Sequence, residues 1–166
     1  MSFHKIVVAL DDSELSKAVF NQAITLAQNN KASLLLYSGL ADLTLVPPTN
    51  LTAEIGLFPQ EIMGSTTYQA QQANLEHQTE TAKSLLQQYE AAAQQLGLQV
   101  QTAFEVGDIE ALLCATAQDW GADLIVVGRR GRKGLSEALL GSVSNYAVHN
   151  AHCSVLVVQG ETEPHA

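Results

Sequence analysis

Five short apolar runs separated by helix-like stretches constrain this chain more than any other feature. They are His4 to Leu10 (HKIVVAL), Ala32 to Tyr37 (ASLLLY), Leu98 to Val106 (LQVQTAFEV), Leu124 to Val127 (LIVV) and Ser154 to Val158 (SVLVV). All but the third are continuous rather than alternating in hydrophobicity, the pattern of strands covered on both faces. Strands that alternate with helices in this way predict an α/β fold, a doubly wound parallel sheet with helices on both faces. The expected unit is one domain over residues 1–160 with a polar tail at 161–166. A chain of 166 residues hides roughly 70% of its unfolded surface, so a core forms without metal or disulfide staples.

The intervening segments carry helical periodicity. From about Ser13 to Asn29, Leu15, Ala18, Val19, Ala23, Leu26 and Ala27 recur at three- and four-residue steps. From about Tyr68 to Leu96, Leu75, Ala82, Leu85, Leu86, Tyr89 and Ala93 form one stripe, and Gly97 is a natural C-cap. Asp108 is a predicted N-cap for a helix bearing Ile109, Leu112, Leu113, Thr116 and Trp120 on one face. A last helix is expected from about Ser142 to Asn150. Residues 39–66 break the pattern with Pro47, Pro48, Gly56, Pro59 and Gly64, yet keep Leu43, Val46, Leu51, Ile55 and Phe58. This reads as a long inserted loop, the most mobile part of the chain, serving as a lid or a partner surface.

Charge narrows the function classes. Seventeen acidic and eight basic side chains give a net charge of −9, a poor match to nucleic acid or anionic membrane. Half of the positive charge sits in one short stretch, at Arg129, Arg130, Arg132 and Lys133. Cys114 and Cys153 form no CxxC, which fits free thiols in a reducing, cytoplasmic setting. Asp11 and Asp12 cut the first apolar run short, so it makes neither a signal peptide nor a membrane span.

In doubly wound sheets ligands bind outside the carboxyl ends of the strands, where the winding reverses. That directs attention to Asp11, Ser38, Gly107 and Gly128. After the fourth strand the chain reads GRRGRKGLSEALLGSVS, with glycines spaced G-x2-G-x9-G-S at Gly128, Gly131 and Gly141-Ser142. Glycine lets backbone N–H groups approach an anion, and Gly141-Ser142 opens a helix whose free amides favour phosphate. The Ser142 and Ser144 hydroxyls add donors, and the arginines supply charge-assisted bonds. The bland alternative is a flexible basic loop before an ordinary helix start. Asp11 could accept from ribose hydroxyls or reach a phosphate-held metal; alternatively Asp11, Asp12 or Ser13 caps the first helix. No window matches GxxxxGK[ST], and the first strand-to-helix turn lacks GxGxxG, which excludes a Walker A loop and disfavours NAD or FAD. His149, His152 and Cys153 lie close in sequence but in a helix and ahead of a buried strand, which disfavours zinc. No Ser/His/Asp or Cys/His grouping is recognisable, so no catalytic residue is assigned.

The IVVALDDSE start, the GADLIVVG strand, the glycine spacing and the SVS…AHCSVLVV end together resemble the universal stress protein family, across the chain outside 39–66. The resemblance implies an adenine-nucleotide-binding fold with strand order 3-2-1-4-5. It is to the ATP-binding branch, which keeps the glycine spacing. It implies that Val127, Gly128, Arg129, Arg130, Gly131 and Arg132 run along ribose and phosphates. Gly141, Ser142, Val143 and Ser144 would hold the β- and γ-phosphates by backbone and hydroxyl. Asp11 would meet ribose or adenine with Ala9 beneath, and the backbone near Ser38 would read the adenine edge. Asp12 and Ser154 stand where many relatives have Gly and Pro. The implied ligand is ATP, ADP or AMP, with Mg2+ on the phosphates. The implied assembly is a homodimer through Val155, Leu156, Val157 and Val158. A slow ATPase and a nucleotide-free structural dimer are the competing readings.

Overall fold

The computed structural model describes residues 2–41, 64–129 and 140–160, with no side-chain detail for 64–68. In chain order the elements are β1 (Lys5–Ala9), α1 (Leu15–Asn30), β2 (Ser33–Ala41), α2 (Gly64–Gln95), β3 (Val100–Gly107), α3 (Ile109–Trp120), β4 (Leu124–Gly128), α4 (Ser142–Asn150) and β5 (Ser154–Val158). The strands form one parallel sheet in the order β3-β2-β1-β4-β5, the order expected.

Strand parity sorts the apolar side chains onto two faces. Ile6, Val8, Leu34, Leu36, Leu124 and Val126 join Val19, Ala23 and Ala27 of α1 and Leu86 and Ala93 of α2 in one core layer. Val7, Leu35, Tyr37, Ile125 and Val127 join Leu113 and Ala117 of α3 in the other. The central strands β1 and β4 are buried on both faces, which is why their sequences are unbroken apolar runs. Phe20 and Tyr89 meet with ring centroids 4.5 Å apart and tie α1 to α2. Lys83 lies over the Phe104 ring at 5.4 Å and ties α2 to β3.

Several boundaries differ from the sequence expectation, one of them through strand pairing. β2 does not stop at Tyr37: it pairs with β3 residue for residue as far as Ala41 opposite Gly107. α2 begins at Gly64, ahead of Tyr68. The expected loop 39–66 therefore loses 39–41 to a strand and 64–66 to a helix. Its remainder, and with it the lid reading, lies outside the described residues, as does the tail 161–166. α1 begins at Leu15, after an N-cap Glu14 that makes no side-chain cap bond. By contrast, Asp108 caps α3 as expected, accepting from the Ala111 N–H at 3.3 Å. Gly97 and Gly121 follow their helices with φ of +77° and +74°, the left-handed region that glycine enters at least cost.

Candidate functional site

The winding reverses between β1 and β4, which run side by side with Val8 opposite Val126. Their carboxyl ends deliver Ala9 to Asp11 on one side and Gly128-Arg129 on the other. Beyond Asp11 the chain makes a tight polar turn. Asp11 Oδ1 accepts from the Ser13 N–H at 3.0 Å, from the Ser13 hydroxyl, and from the Ser16 hydroxyl at 2.7 Å. The Ser16 oxygen in turn accepts the Asp11 N–H at 2.9 Å. Asp11 thus shapes the turn ahead of α1 with one carboxylate oxygen, while Oδ2 takes no part in these bonds. Its charge reaches Tyr89: burial first, and Asp11 second, push that phenol above its ordinary value. Sequence reasoning missed Ser16; its place shortly after an Asp-Asp-Ser turn, on the buried side of α1, is the signal that could have found it.

The other wall is the start of α4. Arg129 continues the β4–β5 ladder, donating its N–H to the Val158 carbonyl at 2.7 Å. Its own carbonyl accepts the Gly141 N–H at 2.7 Å, so the residues flanking 130–140 are joined. α4 then starts at Ser142, and its first ladder bond runs from the Asn145 N–H to the Gly141 carbonyl at 2.9 Å. The Ser142, Val143 and Ser144 amides precede that bond and have no intrahelical acceptor. Among the described residues no side chain caps them, and the first turn holds no acidic residue. Three amides with no acceptor among the described residues, at the positive end of a helix, favour an anion. Ser142 is exposed and Val143 half-buried, whereas Ser144 is buried with its hydroxyl turned toward Arg129 and Gly141. Arg129 is half-buried, and its Nη1 donates to Gln159 Oε1 at 3.4 Å. Arg130, Gly131 and Arg132 lie outside the described residues.

The third wall is β2, which overruns β1. Leu10 N–H donates to the Tyr37 carbonyl and Ser33 N–H to the His4 carbonyl, so odd-numbered residues of β2 bond toward β1. Leu34 N–H donates to the Gln99 carbonyl, so even-numbered residues bond toward β3. Ser38 therefore lies inside β2 with its peptide groups committed toward β3, rather than after the strand as expected. Gly39 presents its N–H and C=O past the point where β1 stops pairing, at Ala9 opposite Tyr37. The parity of β2 reveals this, but only once its end is known.

Beneath Gly39 sits a polar cluster that the sequence did not announce. Tyr37 is 1% exposed, and its Oη finds no hydrogen-bond partner of good geometry among the described residues, although Glu105 lies beside it. Burial, then the Glu105 charge, pushes this phenol far above its ordinary value, so it stays neutral. Glu105 accepts from the Thr116 hydroxyl at 3.1 Å, bracing α3 against β3. Burial raises the thiols Cys114 and Cys153 above their usual value, which disfavours the reactive thiolate. The His152 ring nitrogen meets the Ala122 carbonyl at 2.9 Å and His149 is exposed on α4. Among the described residues no three His, Cys, Asp or Glu side chains are placed to hold a metal ion, and no helix is long and apolar enough to cross a membrane.

Fold and crevice together define a doubly wound α/β protein, with β1, β4 and a helix N-terminus converging at the switch point. More narrowly, the chain belongs to the universal stress protein family, whose family model matches residues 2–159. It is 39% identical over 163 residues to Universal stress protein Sll1388 of Synechocystis sp., covering 96% of this chain and 99% of that one. The universal stress protein UspA from Lactobacillus plantarum has the same fold, with a TM-score of 0.74 at 21% identity over 95% of this chain and 99% of that one. A universal stress protein solved in complex with cAMP matches with a TM-score of 0.60 at 21% identity, over 95% of this chain and 98% of that one. An Arabidopsis thaliana member solved with AMP bound matches with a TM-score of 0.56 at 17% identity, over 97% and 94%.

Proposed function

We propose that this chain is an adenine-nucleotide-binding stress-response or signalling module, a homodimer whose ligand state is read by partners rather than a dedicated enzyme. The observation that carries the reading is the set of open Ser142, Val143 and Ser144 amides beside the ends of β1 and β4. Bound cAMP and AMP in proteins of the same fold support the adenine class. The residues fit a nucleotide. The α4 amides and the backbone at Gly128, at the end of β4, offer donors to a polyphosphate. Asp11 Oδ2 and Ala9 face the ribose position. Gly39 offers a backbone donor and acceptor that complement the adenine edge, and it takes the place assigned to Ser38. Gly128 and Arg129 lie where the path from ribose to phosphates would begin, with Val127 buried in the core beneath them, and the family resemblance assigns Arg130, Gly131 and Arg132 to the same path. Mg2+, where present, is held through the phosphates.

Gly141→Val tests this. Gly141 has φ −64° and ψ 162°, extended backbone that valine adopts readily, so the substitution adds bulk at the phosphates without backbone strain. Saturating Mg-ATP at about 100 times its dissociation constant is expected to stabilise the wild-type protein by roughly 2.7 kcal/mol in thermal melts. The folded Gly141→Val protein should show almost none of that gain and little heat in titration calorimetry. Equal ATP binding by the two proteins would overturn the phosphate assignment.

A further inference from the structure

Ser144 stands in the first turn of α4 and is 1% exposed. Its hydroxyl carries one proton and lies 3.1 Å from the Arg129 carbonyl oxygen and 3.0 Å from that of Gly141. The Gly141 carbonyl already accepts the first ladder bond of the helix, from Asn145. The Arg129 carbonyl already accepts the Gly141 N–H. Two donors from one helix start thus converge on a single carbonyl at the end of β4, and its two lone pairs match them. In a capping box a Glu or Gln at a helix's third position reaches back to the N-cap N–H. Here that N–H is given to Arg129 instead, and the side chain follows it. The same Arg129 is bonded through its N–H to Val158 on β5. The start of α4 is therefore clasped to the sheet through one residue.

We propose that the Ser144 side chain is a positioning group: it touches no ligand, and its hydroxyl clasps α4 to β4 so that the open amides, that of Ser144 included, keep their place. The proposal rests on the nucleotide reading above and departs from it at one point. The resemblance puts this hydroxyl on a phosphate, whereas the buried proton is spent on a carbonyl. The favourable field of a helix N-terminus is confined to its first turn, so a small displacement of α4 costs anion affinity.

The test uses the full chain, Ser144→Ala, which removes the hydroxyl, and Ser144→Thr, which restores it. Mg-ATP and adenosine are titrated by calorimetry, and amide hydrogen exchange at Gly141 is followed without ligand. Ser144→Ala should bind Mg-ATP about tenfold more weakly, the scale of one lost hydrogen bond, with adenosine affinity changed less than about twofold. Gly141 exchange should quicken in the same variant, and Ser144→Thr should recover most of both losses. Should Ser144→Thr fail to fold, the alanine variant alone still decides. Wild-type ATP affinity in Ser144→Ala, or equal weakening of ATP and adenosine, overturns the positioning role. Weakened ATP binding with unchanged Gly141 exchange also overturns it, because the hydroxyl would then act on the phosphate directly. A wild-type protein that binds neither ATP nor adenosine refutes the nucleotide reading itself and takes this proposal with it.

Discussion

Gly39 shows how single residues shape the crevice. A Cβ there would stand 3.1 Å from Ile109 Cγ2, 3.2 Å from the Glu105 carbonyl oxygen and 3.3 Å from Tyr37 Oη. Ile109 can shift, but the Glu105 carbonyl belongs to a paired strand and cannot move far. Two effects oppose each other in Gly39→Ala. Loss of unfolded-chain entropy favours alanine by about 0.4–1 kcal/mol. Overpacking costs about 1–3 kcal/mol. The net expectation is a destabilisation of about 1 kcal/mol, read as a lower urea midpoint at unchanged slope. An unchanged or raised midpoint would show that the polar cluster gives way and that glycine is not required there. Ser144 and Ser16 belong to the same scale. Both serines are plain in the sequence, and what each bonds is visible only after folding.

At the scale of elements, local chemistry wrote some boundaries and pairing wrote others. α3 is bounded by its own residues, Asp108 ahead of it and Gly121 behind. Asp108→Ala should therefore cost about 1 kcal/mol in chemical denaturation, the usual loss for an N-cap aspartate. A change under a few tenths would mean that α3 is held by its packing alone, through Leu113, Ala117 and the Thr116–Glu105 and Trp120–Gln101 bonds. β2 is the opposite case. Ser38 and Gly39 are weak strand formers, and nothing local carries the strand past Tyr37. Its length comes from β3, whose residues Phe104 to Gly107 lie opposite Ser38 to Ala41. The overhang of β2 beyond β1, and hence the open peptide of Gly39, is a product of pairing.

At the scale of the whole molecule, the sheet formed by the described residues has two edges, β3 and β5. They are not equivalent. β3 carries exposed Gln101 and Thr102 and half-buried Glu105, polar residues that discourage edge pairing. β5 is Ser154 followed by four apolar residues, of which Val155, Leu156 and Val157 are only half-buried. Of the two, β5 is therefore the edge suited to a second copy of the chain. The proposed homodimer should run as twice the monomer mass in light scattering at micromolar concentration, and Val157→Lys should reduce it to monomer. A wild-type monomer, or a dimer indifferent to Val157→Lys, would remove β5 from the assembly.

The sequence by itself determined the fold class. Buried strands must be apolar throughout and their covering helices must repeat every 3.6 residues, so a doubly wound sheet is written residue by residue. It also marked the ends of β1 and β4 and the glycine-serine start of α4, because turns and helix starts depend on neighbours along the chain. Only the tertiary structure decided that Ser38 faces β3 while Gly39 faces the crevice, that Asp11 shapes its turn through Ser13 and Ser16, and that the Ser144 hydroxyl comes within reach of the Arg129 carbonyl. Each of these is set by which partner a hydrogen-bonding group meets. Arg129 and Ser144 are 15 residues apart in the chain and 3.1 Å apart in space, and no local pattern in the sequence encodes that approach.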